Sequence, residues 1–81
     1  MRATVLVRPK EGILDPQGEA VGGSLRRLAF PVTQARVGRL VDLELDASNA
    51  VDARAQIERM CAELLANPLI ESVEIHVEGD D

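Results

Sequence analysis

Cys61 and His76 are the side chains of this sequence best suited to nucleophilic or proton-transfer chemistry, and each is the single residue of its type. A catalytic nucleophile needs a base beside it, and a zinc site needs three or four ligands, so one thiol and one imidazole offer little to build either. Cys61 falls on the apolar stripe of a predicted helix, which indicates a small core residue. His76 stands among acidic residues, which indicates a surface side chain. The sequence therefore predicts no catalytic residue, no metal site and no bound cofactor.

A different kind of chemistry, recognition of another protein, is indicated by the turn Leu14-Asp15-Pro16-Gln17-Gly18. Asp15 before Pro16 is typical of a helix N-cap followed by proline at the first helical position. The amides at the start of such a helix can bind an acidic group of a partner. Asp15, Gln17 and Gly18 are therefore candidate interface residues, with the N-cap as a complete structural alternative for Asp15.

Two further motifs present polar or rigid groups at predicted turns. In Val37-Gly38-Arg39, preceded by Arg36, two arginines flank a glycine. Their planar donors suit a partner's carboxylates, although solvated charge explains them as well. In Leu64-Leu65-Ala66-Asn67-Pro68-Leu69-Ile70-Glu71, the Asn-Pro pair stops a helix and presents a rigid loop. We assign these residues to the same candidate interface: Arg36, Gly38, Arg39, Asn67 and Pro68.

The chain is short, and its predicted core is thin. Its 81 residues form one domain, 1–81, in which Phe30 is the single aromatic residue, so aliphatic side chains must build the core. A domain of this size gains little net free energy from burial, and one cysteine cannot form an internal disulfide. Association is the remaining source of stability, and we therefore expect a homo-oligomer.

Charge is unevenly distributed along the chain. The net charge is −5, with seven basic and three acidic residues in 1–39 and two basic and eleven acidic residues in 40–81. We expect the two halves to pair their charges across one sheet. An acidic chain with one aromatic residue does not suit nucleic acid, and no apolar run approaches the about 20 residues of a membrane span. One thiol and no signal-peptide pattern predict a cytoplasmic protein.

The candidate interface needs a scaffold, and apolar spacing predicts its first half. Alternating apolar residues predict a strand that ends at Pro9: Ala3, Val5 and Val7. Helical spacing and the cap at Asp15 predict a helix over 16–29. Gly22-Gly23 lies inside it and costs about 2 kcal/mol relative to two alanines. The pair either weakens the helix or gives a smooth face that another backbone approaches closely.

Residues 32–46 are the most regularly patterned stretch of the chain. Ala35, Val37, Val41 and Leu43 share one parity. A two-residue hairpin at Gly38 would break that parity, whereas a three-residue connection over 38–40 or one long strand bent at Gly38 would keep it. The sequence does not separate the last two arrangements. We favour two strand segments hinged at Gly38, because glycine tolerates a bend or bulge.

The second half repeats the helix-then-strand order. A helix is predicted from about 50 to 66, with a capping region before it and Asn67-Pro68 after it. Alternation of Val73, Ile75 and Val77 with acidic residues predicts the final strand, followed by a frayed tail at 79–81. The predicted fold is therefore α+β, β-α-β-β-α-β, with two helices on one face of an antiparallel sheet, as in ferredoxin-like domains. Strand one then lies in the middle of the sheet.

The same three motifs, in this order and spacing, resemble those of the PurS family, the small subunit of phosphoribosylformylglycinamidine synthase, also called formylglycinamide ribonucleotide amidotransferase. The resemblance covers almost the whole chain. It includes Val41-Asp42-Leu43-Glu44-Leu45 after the glycine hinge and Met60-Cys61 before the last motif. Each motif alone is weak evidence, but the ordered set is fairly specific.

The resemblance implies a non-catalytic role in de novo purine biosynthesis. Proteins like this bridge a glutaminase subunit and a large synthetase subunit, assist ammonia transfer between them, and form homodimers that can pair into tetramers. The complex uses ATP, Mg²⁺ and glutamine to convert formylglycinamide ribonucleotide to formylglycinamidine ribonucleotide, and the small subunit binds none of them.

One alternative function remains open at this point. Small α+β domains also serve as oligomeric regulatory modules that bind a metabolite between subunits. Such modules usually carry a glycine-rich strand-to-helix turn, but here the corresponding turn contains Pro16, which removes one amide donor. Titration of the isolated oligomer with amino acids and purine nucleotides would distinguish the two functions.

Overall fold

The computed structural model describes residues 1–79; the predicted tail residues Asp80 and Asp81 lie outside the described residues. The strands are β1 (Arg2–Pro9), β2 (Arg39–Glu44) and β3 (Glu71–Val77). The helices are α1 (Pro16–Arg27) and α2 (Ala50–Met60), and a π-helical turn, Cys61–Leu65, continues α2. None of the helices in 1–79 has the length and apolar character needed to cross a membrane.

The three strands form one antiparallel sheet in the order β2-β1-β3. Val5 of β1 lies opposite Val41 of β2 and Ile75 of β3. Alternate residues of β1 are buried on the face that α2 covers: Ala3, Val5 and Val7. The predicted α+β class and the central position of the first strand are both confirmed.

The core lies between β1 and α2. Ala53 and Ile57 of α2 are fully buried, and Cys61 is 6% exposed in the same cluster. Asn49 caps α2, because its side-chain oxygen accepts a hydrogen bond from the Asp52 amide at 2.8 Å. The last turn widens, and the Ala66 amide donates to the Cys61 carbonyl at 3.1 Å. The predicted helix over 50–66 is therefore α-helical to Met60 and π-helical beyond it.

The first helix does not lie on the sheet in the single chain, which differs from the expected pair of helices on one face. No residue of α1 belongs to the buried cluster in 1–79. Its buried residues are Gly18 and Gly22, and both pack against Ala35. A Cβ at Gly22 would lie 3.7 Å from the Ala35 backbone, which is an ordinary contact, and 3.3 Å from the flexible Arg26 guanidinium, so close approach of another backbone does not require glycine there. A Cβ at Gly23 would meet only the Arg27 guanidinium, at 3.7 Å. The helix ends at Arg27, before Ala29 takes a left-handed φ of 73°.

The molecule is consequently elongated, with extents of 50 × 24 × 17 Å. We call the sheet with α2 the body, and residues 16–37, which include α1 and the chain that returns along it, the arm. The apolar side chains of the arm have no core of their own, because Val21 and Leu28 are 44% and 69% exposed.

Residues 32–37 are not a strand, so the first of the two strand segments expected around Gly38 is wrong. The Val37 amide donates to the Asp15 carboxylate at 2.8 Å instead of to a neighbouring strand. Ala35 packs on the glycine face of α1. Alternation of apolar and polar residues indicates that one side of a segment is buried. It does not indicate that a neighbouring strand is available to pair with that segment. Gly38 itself is needed, because a Cβ there would overlap the Val7 carbonyl.

Charge pairing across the open face of the sheet, opposite α2, follows the sequence prediction. Arg2 of β1 forms an ion pair with Glu44 of β2 at 3.2 Å. The Thr4 hydroxyl donates to the Asp42 carboxylate at 2.8 Å. These contacts join the basic N-terminal half of the chain to its acidic C-terminal half and fix the register of β1 against β2.

Candidate partner-binding surface

The Asp15 carboxylate joins the start of α1 to the chain that leads into β2. One oxygen accepts the Gly18 amide at 3.0 Å and the other accepts the Val37 amide at 2.8 Å. These two hydrogen bonds, with the charge of Arg36, hold the pKa of Asp15 below its ordinary value. The predicted N-cap is confirmed. A Cβ on Gly18 would overlap the Asp15 carboxylate and the Ala35 carbonyl, so the turn requires glycine at that position.

Arg36 holds the loop that follows β1. Its guanidinium donates to the carbonyls of Pro9 at 2.7 Å and Lys10 at 2.6 Å, and it lies 3.6 Å from the Glu11 carboxylate. The Arg36 side chain is only 24% exposed. Solvated charge is therefore not the explanation of Arg36, because its Nη2 group donates to two backbone carbonyls of this chain.

Arg39 and Glu71 clamp the loop between α2 and β3. The Arg39 guanidinium makes a bidentate pair with the Glu71 carboxylate at 2.7 and 3.0 Å and also donates to the Leu65 carbonyl at 2.6 Å. Glu71 additionally accepts the Asn67 amide at 2.8 Å. Its pKa is lowered, first by the Arg39 hydrogen bond and then by the Asn67 amide. A bidentate pair orients both side chains and so fixes the loop.

The Asn67-Pro68 loop is closed by its own hydrogen bonds. The Asn67 side-chain oxygen accepts the Leu69 amide at 3.1 Å, and the Asn67 carbonyl accepts the Ile70 amide at 3.1 Å and the Glu71 amide at 2.8 Å. Pro68 stands exposed at its turn. The loop therefore has the rigid shape that the sequence predicted.

These contacts bring the predicted interface residues to one end of the body, where the arm begins. The Lys10 amide donates to the Ile70 carbonyl at 2.9 Å and joins the first loop to the last. A groove of about 290 Å³ runs between them. Ile13, Leu14, Gln17 and Ile70 line it, and Gly38 and Arg39 lie at its other side. We call this surface the groove.

Sequence reasoning missed several members of this end of the molecule. Glu71 was part of the third motif but was not assigned a role, although an acidic residue just after an Asn-Pro stop was a usable signal. Leu14, Leu64 and Leu69 are 72%, 84% and 81% exposed. Each is an apolar residue beside a turn or helix end, where burial within the chain is least expected. Exposed leucines of this kind are typical of contact surfaces.

The candidate chemical residues lie elsewhere. Cys61 is buried in the core, and desolvation raises the pKa of its thiol, which opposes a nucleophilic role. His76 is exposed, and its Nε2 lies 2.7 Å from the Glu74 carboxylate. Within the part of the chain that the structure describes, no three His, Cys, Asp or Glu side chains come close enough together to hold a metal ion.

Comparison with known proteins identifies the family. The family model PurS, described as phosphoribosylformylglycinamidine (FGAM) synthase, matches residues 2–79.

The chain belongs to the PurS family.

Curated PurS subunits of FGAM synthase are similar over nearly their whole length. That of Methanocaldococcus jannaschii is 35% identical, over 95% of this chain and 94% of its own. That of Bacillus subtilis is 36% identical, over 95% of this chain and 92% of its own.

Solved PurS structures share the architecture. The M. jannaschii subunit superposes with a TM-score of 0.85 at 33% identity, covering 99% of this chain and 98% of that one. A chain in a structure of PurLQS from Thermotoga maritima superposes with a TM-score of 0.84 at 32% identity, covering 93% of each chain.

Proposed function

We propose that this chain is a non-catalytic subunit that joins the glutaminase and synthetase subunits of FGAM synthase and assists the transfer of ammonia between them. The PurS match over residues 2–79 carries the proposal. The T. maritima structure of PurLQS supports it, because a chain of the same fold is found there with two other subunits. By membership of the family, the protein is a PurS subunit of FGAM synthase.

The placement of the reactive side chains supports a non-catalytic role. ATP, Mg²⁺ and glutamine are proposed to bind to the two larger subunits and none of them to this chain. A buried thiol at Cys61 and an exposed His76 paired with Glu74 are poorly placed for catalysis. We also propose a cytoplasmic location. The free thiol of Cys61 is consistent with it, because thiols stay reduced in that compartment.

The groove is the surface we propose for contact with one of the larger subunits. Gln17 and the exposed Leu14 and Ile70 offer polar and apolar groups to a partner. Asp15, Arg36 and Arg39 hold the backbone beneath them through the hydrogen bonds described above. The roles divide accordingly: the predicted charged residues shape the surface, and their neighbours make the contact.

Self-association is proposed to use the arm. Val21, Leu28 and Phe30 are 44%, 69% and 54% exposed, which leaves much apolar surface in contact with water. The body has a small core, so covering the arm with a second copy would add stability that the single chain lacks. We propose a homodimer formed in this way, which can pair further into a tetramer.

Reconstitution tests the assembly role. The purified chain is mixed with its cognate glutaminase and synthetase, and FGAM formation is followed with glutamine as nitrogen donor. We expect synthesis to fall to background when this chain is omitted. Ammonium chloride in place of glutamine is the control, because free ammonia needs no transfer between subunits. Equal glutamine-dependent synthesis with and without the chain would overturn the proposal.

A further inference from the structure

A second concave surface lies on the open face of the sheet, opposite α2, and its volume is about 760 Å³. Its floor includes Leu6 and Leu40, which lie opposite each other in the register of β1 and β2. Leu40, on the outer strand β2, is 57% exposed. We call this surface the trough; it shares Gly38 and Arg39 with the groove but faces the other way.

The rim of the trough is basic. Its charged residues are Arg8, Lys10, Arg36, Arg39 and Glu11. The rim therefore carries a charge of +3 on a chain whose net charge is −5, which leaves −8 on the remaining residues. A positively charged patch on a protein of negative net charge attracts and orients a negatively charged partner.

The hydrogen bonding of the rim argues against a compact anion such as phosphate. Arg36 donates from Nη2 to the carbonyls of Pro9 and Lys10, and Arg39 donates from Nη1 and Nη2 to Glu71 and the Leu65 carbonyl, which leaves fewer of their donors free. Tight phosphate binding needs several free donors that converge on one point. The exposed cations Arg8 and Lys10 stand instead beside an apolar floor.

We propose that the trough binds an acidic segment of a partner protein, with an apolar side chain of that segment seated on Leu6 and Leu40. This inference rests on the proposed function, since the partner is one of the other two subunits of the synthase. Acidic groups of the segment pair with Arg8 and Lys10, while Arg36 and Arg39 keep the rim in shape and supply a positive field.

Charge reversal tests the proposal. In the double variant Arg8→Glu/Lys10→Glu, both changed side chains are exposed and the Arg36 and Arg39 contacts are left in place. Dissociation constants are measured by calorimetry for this chain with the purified glutaminase and with the purified synthetase. We expect affinity for one of the two to fall about tenfold or more, because opposite charges become like charges. The variant Arg59→Glu, at an exposed residue of α2, changes the net charge by as much as Arg8→Glu alone; it is the control for charge reversal elsewhere and is expected to bind as the wild type does.

Two further measurements separate the possible outcomes. Arg8→Lys/Lys10→Arg keeps the charge and is expected to keep the affinity. Higher NaCl is expected to weaken wild-type binding, because salt screens the ion pairs of Arg8 and Lys10 with the acidic segment. The double variant has lost these ion pairs, so its binding is expected to depend less on salt.

Unchanged affinity of the folded double variant for both subunits would overturn the trough proposal and leave the assembly role standing. Failure of the wild type to bind either subunit would overturn both. Competition by millimolar inorganic phosphate, or binding of a short RNA that the double variant loses, would show that the trough takes a phosphate group and would overturn the acidic-segment proposal.

Discussion

At the residue scale, single side chains join parts of the chain that are far apart in sequence. The Asp15 carboxylate bonds the amides of Gly18 and Val37, and Glu71 bonds Arg39 and the Asn67 amide. Neither network includes a group that performs chemistry on a substrate. The hydrogen bonds of both networks hold the backbone of the surrounding loops in place. Substitution of Asp15 or Glu71 is therefore expected to change both the stability of the fold and the assembly of the complex.

Asp15→Ala removes the α1 cap and the bond to Val37. We expect the thermal midpoint to fall by about 4–8 °C, as for the loss of one helix cap in a domain of this size. Asp15→Asn keeps a side-chain oxygen that can accept the Gly18 amide, so its midpoint is expected to fall less. The measurement is circular dichroism at one fixed protein concentration, because the proposed oligomer would make the midpoint concentration-dependent. Equal midpoints for Asp15→Ala and wild type would contradict this role.

Arg39 and Glu71 are expected to be energetically coupled. A double-mutant cycle of Arg39→Ala and Glu71→Gln, read from urea unfolding, is expected to give a coupling of about 1 kcal/mol, at the upper end for partly exposed pairs because the contact is bidentate. Additive effects of the two substitutions would show that the pair is incidental. Arg2 and Glu44, a more exposed pair with one contact, form the matched comparison and are expected to couple less.

Acid is expected to destabilise the fold through the same carboxylates. The folded-state pKa values of Asp15, Glu71 and Glu74 are lowered, chiefly by the Gly18 amide, Arg39 and His76 respectively. The unfolded chain therefore binds protons more readily than the folded chain does. The contribution of these carboxylates to the free energy of unfolding is complete above about pH 5 and is lost as the pH falls through their folded-state pKa values. Urea midpoints from about pH 7 to about pH 3 test this, and Glu71→Gln is expected to flatten the decline.

At the element scale, α1 illustrates how one glycine is required and another is not. Gly18 faces Asp15 and the Ala35 backbone, whereas a Cβ on Gly23 would make only ordinary contact with a flexible arginine. Gly23→Ala is therefore expected to stabilise the protein by about 0.5–1 kcal/mol through helix propensity. Gly18→Ala is expected to destabilise it. Chemical unfolding of both variants checks the pair, and a stabilising Gly18→Ala would contradict the close packing against Ala35.

Much of the element pattern followed from the sequence. The alternation in β1, the proline start of α1 and the cap of α2 at Asn49 depend on neighbours in sequence, and local chemistry determined them. Residues 32–37 were expected to form a strand as well, yet they lie along α1, where within residues 1–79 no strand pairs with them. The π-helical turn was also missed, since it depends on how the end of α2 meets the Arg39 clamp.

At the scale of the whole molecule, we propose that the arm is the surface through which copies associate. We expect Leu28→Ser/Phe30→Ser to shift the protein toward the monomer, because it removes apolar contact area that we assign to the dimer. Light scattering after size exclusion, over a range of concentrations, measures the mass. Val51→Ser, at a side chain that is 80% exposed on α2, is the control and is expected to keep the wild-type mass. An unchanged mass for the arm variant would place the self-association surface elsewhere.

The candidate surface could be predicted in part. All eight assigned residues lie at or beside the ends of helices and strands, and the sheet order brings the end of β1, the start of β2 and the start of β3 to one end of the body. The sequence did not reveal that Arg36 bonds the chain's own carbonyls or that Leu14 and Leu69 are left exposed. Those facts depend on which groups meet across the fold, and spacing alone carries no such information.

The outer strands of the sheet have a further consequence. Within residues 1–79, β2 and β3 each have a neighbour on one side only, so each offers free backbone amides and carbonyls along its other side. Carboxylates along them, such as those of Asp42 and Glu74, repel a second acidic strand at neutral pH. Acid removes this repulsion while it also loosens the fold. Prolonged incubation near pH 3 is therefore expected to convert the protein into cross-β fibres, visible by thioflavin fluorescence, and neutral storage is expected to prevent them.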